Sequence, residues 1–163
     1  MGVAAAAPLA AVMPPVGAAG CLWFGMMGGA FPDYADLRSG MKQHLKHRGF
    51  SHSIFMLGLA GAFVYVLLNA LHREWTGLLH IPRTDVAAWT IAFCLGIASH
   101  LLGDACNRGG IQPLLPLWQK KMWLLPRIFR GKSVGWQNGV MRMASVILIG
   151  ASLAVFIVYQ GNI

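Results

Sequence analysis

The stretch SIFMLGLAGAFVYVLLNAL, Ser53 to Leu71, is 19 residues long and carries no charge. A helix on a soluble core keeps one polar face, and Ile54-Phe55-Met56-Leu57-Gly58-Leu59-Ala60 has none. At 1.5 Å per residue the run is roughly 28 Å long, close to the ~30 Å hydrocarbon core of a bilayer. Two more uncharged runs follow, Val86 to Gly103, interrupted only by His100 near its end, and Met143 to Tyr159. A fourth apolar region, Gly2 to Phe31, is split by Pro14-Pro15. We read its second part as a short transmembrane helix from Val16, in preference to a re-entrant hairpin. These runs predict an all-α polytopic membrane protein of about four transmembrane or re-entrant helices. The expected spans are about 16–31, 53–71, 86–106 and 143–159, in one membrane-embedded domain covering 1–163.

Composition excludes the soluble classes. Hydrophobic residues make up 56% and charged residues 11%, whereas a soluble domain carries about a quarter charged residues. The net charge of +8 rests on 13 basic and five acidic residues, so it points to anionic lipid headgroups at a cytoplasmic face, and no nucleic-acid partner is expected. Cys21, Cys94 and Cys106 form no CxxC pair, which disfavours a disulfide scaffold or a zinc finger. The Ala-rich start has no basic residue before it, unlike a secretory signal, and is read as part of the membrane domain.

Four passes would put Pro32–His52 and Asp104–Arg142 on one side, with eleven of the thirteen basic residues; Arg73 and Arg83 fall on the other. The positive-inside rule makes the first side cytoplasmic and leaves both termini outside. The broken, basic stretch 111–142 reads as an interfacial segment.

That same side collects the metal-ligand chemistry. His100 and Asp104, four apart on a helix, project from one face about 6 Å apart along the axis, and Asn107 extends the stripe as a second-sphere partner. A carboxylate there costs roughly 2.5 to 3.5 kcal/mol on insertion scales, so Asp104 needs a partner or a task. His47 and His52 flank Gly49, which permits a turn with positive φ, and Ser51 or Ser53 can cap the next helix. Asp33 and Asp36 follow Pro32, which should end the first helix, and form either a capped turn or a pair of oxygen ligands. Each patch also has a plainer reading: a His–Asp hydrogen bond locking helices, or basic residues anchoring headgroups. His44 reads as a loop residue, and His72 and His80 as interfacial on the opposite side. Together the nitrogen and oxygen donors favour zinc, with manganese or iron as alternatives, and six potential ligands suit a centre of up to two ions.

The blocks Gly29-Ala30-Phe31-Pro32-Asp33-Tyr34-Ala35-Asp36, His47-Arg48-Gly49-Phe50-Ser51-His52-Ser53 and His100-x-x-x-Asp104, followed by Gly110-Ile111 and Leu115-Pro116, resemble the YdjM family of bacterial inner-membrane proteins, described as membrane-bound metal-dependent hydrolases. The resemblance covers about residues 25 to 118, and its most specific element is the His-Arg-Gly-x-Ser-His-Ser block. Through that family's distant similarity to zinc-dependent phospholipase C and the S1/P1 nucleases, it implies a helical fold, a metal cluster and phosphoester chemistry. The implied ligands are Asp33, Asp36, His47, His52, His100 and Asp104. Two features depart from the family pattern: no His precedes His44, where a Thr-His pair is usual, and a late acidic position falls near Trp136-Gln137-Asn138.

The resulting expectation is a metal-dependent hydrolase of the inner membrane, acting at the cytoplasmic leaflet on a phosphoester of a lipid or lipid-linked substrate. Arg48 or Arg108 would bind phosphate, with Asp36 as general base and Asp104 in the catalytic cluster. The competing class is a metal-binding transport or assembly protein without hydrolytic activity. Ligands at helix ends rather than half-way through the membrane favour the enzyme.

Overall fold

A computed structural model describes residues 1–38, 49–74, 81–127, 130 and 136–161. The elements are α1 (Gly2–Ala10), α2 (Pro15–Arg38), a 3-10 turn (Phe50–His52), α3 (Ile54–Glu74), α4 (Arg83–Ala105) and α5 (Trp136–Gly161). Among the described residues there is no sheet, only one isolated bridge between Ile111 and Met122.

The centre of the bundle is the pair α2 and α4, which run parallel. Trp89 Nε1 donates to the Gly17 carbonyl at 3.0 Å near their starts, and His100 Nδ1 lies 2.8 Å from the Gly29 carbonyl near their ends. Glycine makes this approach possible. A methyl group at Gly20 would overlap the Trp89 indole, one at Gly28 the Phe93 carbonyl, and one at Gly96 the Gly25 carbonyl. Helices in lipid gain little from hydrophobic burial against one another, so contact between small residues is their main route to tight packing.

Helix α1 folds back against this pair. Its Ala4, Ala6, Ala7 and Ala10 are buried, and Gly2 meets the backbone of Gly25 and Gly29. A cluster of Ala6, Ala10, Ala18, Cys21, Ala88 and Ala92 joins α1, α2 and α4. On the other flank α3 packs Leu57, Ala60 and Val64 against Phe93, Ile97 and Leu101 of α4. Helix α5 lies outermost, against α1, and exposes Met143, Val146, Ile147 and Val158.

Among the described residues, three helical stretches are long and apolar enough to cross a membrane: Ile54–His72, Arg83–Ala105 and Arg142–Gly161. The expected fourth is not among them. Helix α2 has 24 residues, but the glycines that let it touch α4 dilute its apolarity, and α1 and α4 pack against it. The first apolar region is thus a helical hairpin, α1 then α2, rather than one short helix.

Two further expectations change with it. Met1 lies beside Gly103, at the end of α4 where the ligands gather, while Gln160 Nε2 donates to the Met13 carbonyl at the opposite end, 3.2 Å away. The two ends of the described chain therefore lie at opposite ends of the bundle, not on one side. Pro32 does not end a helix either; it is buried inside α2, so Asp33 sits on a helix and not in a turn. A proline costs one helical hydrogen bond, which membrane helices tolerate where neighbouring helices shield the freed carbonyl.

Beyond α4 the chain is irregular, and backbone hydrogen bonds pin it to the bundle. Ile111 and Met122 exchange hydrogen bonds of 3.1 and 2.8 Å, Leu124 N donates to Ala105 at 3.0 Å, and Ile54 N donates to Pro113 at 2.9 Å. Gly110, at the turn into this segment, has a positive φ of 66°. At Gly49, which would permit one, φ is −85°.

Candidate metal centre

Three elements meet at the end of the bundle marked by the C-terminus of α4. Helix α2 brings Asp33, the turn before α3 brings His52, and the last turn of α4 brings His100 and Asp104. One ligand atom each from Asp33, His52 and His100 lies within 4.8 Å of the others. His52 Nε2 is 3.6 Å from Asp33 Oδ1 and 3.3 Å from Asp104 Oδ2; His100 Nε2 is 3.6 Å and 3.7 Å from the same two atoms.

These separations have a geometric meaning. Four ligands at about 2.0–2.2 Å from a tetrahedral ion are separated from each other by roughly 3.3–3.6 Å. The nitrogen–oxygen separations within the group Asp33, His52 and His100 are close to that value, and Asp104 Oδ2 lies beside both histidines, 3.3 and 3.7 Å from their Nε2 atoms. The donor set, two imidazoles and two carboxylates, is the chemistry of zinc, manganese or iron sites.

The second atoms of these side chains are held elsewhere, which aims the first. His100 Nδ1 faces the Gly29 carbonyl, an acceptor only, so Nδ1 carries a proton and Nε2 is the nitrogen turned toward the carboxylates. His52 Nδ1 is 2.9 Å from Ser51 Oγ, and both residues are buried. Asn107 Nδ2 donates to Asp104 Oδ1 at 3.4 Å, leaving Oδ2 toward the two histidines. The two imidazole rings stand 5.2 Å apart and tilted, so neither blocks the other's nitrogen. Burial is graded across the site: the His52 side chain is 0% exposed, Asp104 13% and Asp33 53%, which leaves the aspartate of α2 at the mouth.

Of the six ligands expected from sequence, Asp33, His52, His100 and Asp104 are thus together. His47 and Arg48 lie outside the described residues, as does the Asp36 side chain, although its backbone belongs to α2. His44 and His80 also lie outside them. His72 is at the opposite end of α3, with Nδ1 2.5 Å from the Ile81 carbonyl. The Arg108 guanidinium Nε donates to the Arg130 carbonyl at 3.3 Å. Of the two capping candidates, Ser53 serves the helix, accepting from Met56 N at 3.2 Å, and Ser51 serves the histidine.

Beside the cluster lies a cavity of about 370 Å³ between the start of α1 and the ends of α2 and α4. His100, Asp104 and Asn107 line one side of it. Cys106 also lines it, and burial pushes its thiol above the ordinary value, so it stays protonated at neutral pH and is a poor nucleophile.

Sequence reasoning missed the Gly29 carbonyl and the role of Ser51. A carbonyl has no side-chain signature, and only the parallel register of α2 and α4 places it. Ser51, by contrast, adjoins His52 in the specific block, and that adjacency was a signal that could have found it.

No curated protein and no solved structure matches the chain. A family model described as YdjM inner membrane protein matches residues 1–163, and the chain belongs to the YdjM family.

Proposed function

We propose that the protein is a metal-dependent hydrolase of the bacterial inner membrane that cleaves a phosphoester of a lipid or lipid-linked substrate. The observation that carries this reading is the cluster of Asp33, His52 and His100, whose ligand atoms lie within 4.8 Å of one another, with Asp104 beside both histidines and each histidine oriented through its other nitrogen. A divalent transition metal bound there, zinc on the donor set, supplies an activated water and a positive charge facing phosphate oxygens. A second ion would draw on Asp36 and His47.

The chain's own residues have separable tasks. His52, His100 and Asp104 fix the cluster, and Asn107 keeps Asp104 turned toward it. Asp33, half exposed at the mouth, completes the shell on the substrate side. Asp36 accepts the proton of the attacking water, and Arg48 or Arg108 takes phosphate oxygens, a guanidinium matching them two at a time. The water oxygen bonds to phosphorus, the phosphorus–oxygen bond to the lipid alcohol breaks, and the alcohol leaves with the proton that Asp36 took from the water. The excess of basic residues on that side supports a site at the cytoplasmic leaflet, among anionic headgroups.

The test is elemental analysis of detergent-purified protein alongside assays on phospholipid and small phosphoester substrates. Wild type is expected to hold a transition metal and release product, and His52→Ala to lose both. Metal without turnover on any phosphoester would instead favour a metal-carrying transport or assembly role.

A further inference from the structure

The cavity beside the cluster has two unlike walls. Met1 and Val3 of the α1 end, with Met26 and Ala30 of α2, make an apolar wall, and His100 and Asp104 of α4 face it. Its floor is closed where the backbones of Gly2, Gly25, Gly29 and Gly96 meet. Its flank is not closed. Met1 and Met26, which line it, are exposed, as is Leu102 near the end of the apolar stretch Arg83–Ala105. Its volume, about 370 Å³, falls at the lower end of the range for small-molecule pockets, ~300–1,000 Å³.

We propose that this cavity is a lateral binding chamber for a membrane lipid, which takes the glycerol-proximal part of an acyl chain against Met1, Val3, Met26 and Ala30 while the phosphate faces His100 and Asp104. The proposal deepens the hydrolase reading and rests on it only for the fate of the phosphate. A soluble phosphoester has no use for the apolar wall. An amphiphile has a use for both: the exposed apolar side chains at the opening suit its chain, and the ligand cluster at the bundle end faces its phosphate. The remainder of the chain stays in lipid, so the short chamber reads the linkage region and not the chain length.

The experiment uses the full-length protein in phosphatidylcholine vesicles containing a phosphatidic acid with a diazirine at the carboxyl end of its acyl chain. After irradiation, peptide mapping is expected to find adducts on Val3 or Met26. Two substitutions fill the chamber from opposite walls. At Gly103 an added Cβ meets only the flexible Met1 side chain, at 3.4 Å from its sulfur, so Gly103→Leu should fit the helix packing; Val3→Phe fills from α1. Each is expected to reduce labelling by about tenfold, a 1.4 kcal/mol effect on binding, with metal content per chain retained. Wild-type labelling elsewhere on the chain only, or labelling unchanged in both variants, would overturn the chamber. Labelling in the chamber with no lipid turnover would support the chamber and overturn the hydrolase reading, so the two fail separately.

Discussion

At the scale of single residues, the site is decided by what holds the back of each ligand. Ser51 touches His52 Nδ1, so Ser51→Ala is expected to weaken metal binding by about 10 to 100-fold and Ser51→Thr to restore most of it, measured by competition with a chelator. Asp104→Asn keeps the shape and the acceptor toward Asn107 while removing the charge that offsets a divalent ion. It should therefore lower the metal load more steeply than Ser51→Ala, with the fold retained by circular dichroism. An undiminished load would reduce Asp104 to a hydrogen-bond acceptor for the histidines. Cys106, protonated by its burial, is expected to be replaceable by Ala with turnover within about twofold of wild type, and to react slowly with iodoacetamide at pH 8. Most of this chemistry was legible in the sequence, because His and Asp are rare in so apolar a chain and each needs a reason. The supporting contacts were not, since a carbonyl or a serine hydroxyl is too common to single out before the helices are placed.

At the scale of elements, α3, α4 and α5 were readable because an uncharged run of 17 residues or more is stable as a helix in lipid and would be left without a polar face in water. The hairpin of α1 and α2 was harder. Its contacts are made by backbone at Gly20, Gly25 and Gly28, and glycine leaves no periodic apolar stripe to count. Pro32 compounded this, as a proline that stops a helix in water can continue one where protein surrounds it. The seam makes a direct test possible. Gly28→Leu drives a side chain into the Phe93 carbonyl and should cost about 1–3 kcal/mol or more of stability. Gly58→Ala, on an open face of α3, should be neutral or stabilise by up to about 1 kcal/mol. Thermal unfolding in one detergent compares them, and equal effects would mean that α2 and α4 do not pack through glycine.

At the scale of the whole molecule, the hairpin changes where the chain begins relative to the membrane. With the native cysteines replaced, a single cysteine in a short Gly-Ser extension ahead of Met1 and one at Trp118 should react with an impermeant maleimide from one side, and those at Thr84 and Gln160 from the other. The excess of basic residues predicts that the first side is cytoplasmic. Reaction of the extension and Gln160 from the same side would restore the reading with both termini outside. The hydrogen bond from His100 to Gly29 has a further consequence. The proton that determines which imidazole nitrogen faces the ion is held by a neighbouring helix, so ion affinity and helix alignment are two faces of one equilibrium. Removing the ion with a chelator should lower the unfolding temperature, and any substitution that slides α2 along α4 should loosen the ion by the same free energy. A cation bound by Asp33, His52, His100 and Asp104 would then be a clasp across three segments of chain, and cellular metal supply would set how firmly this bundle is closed.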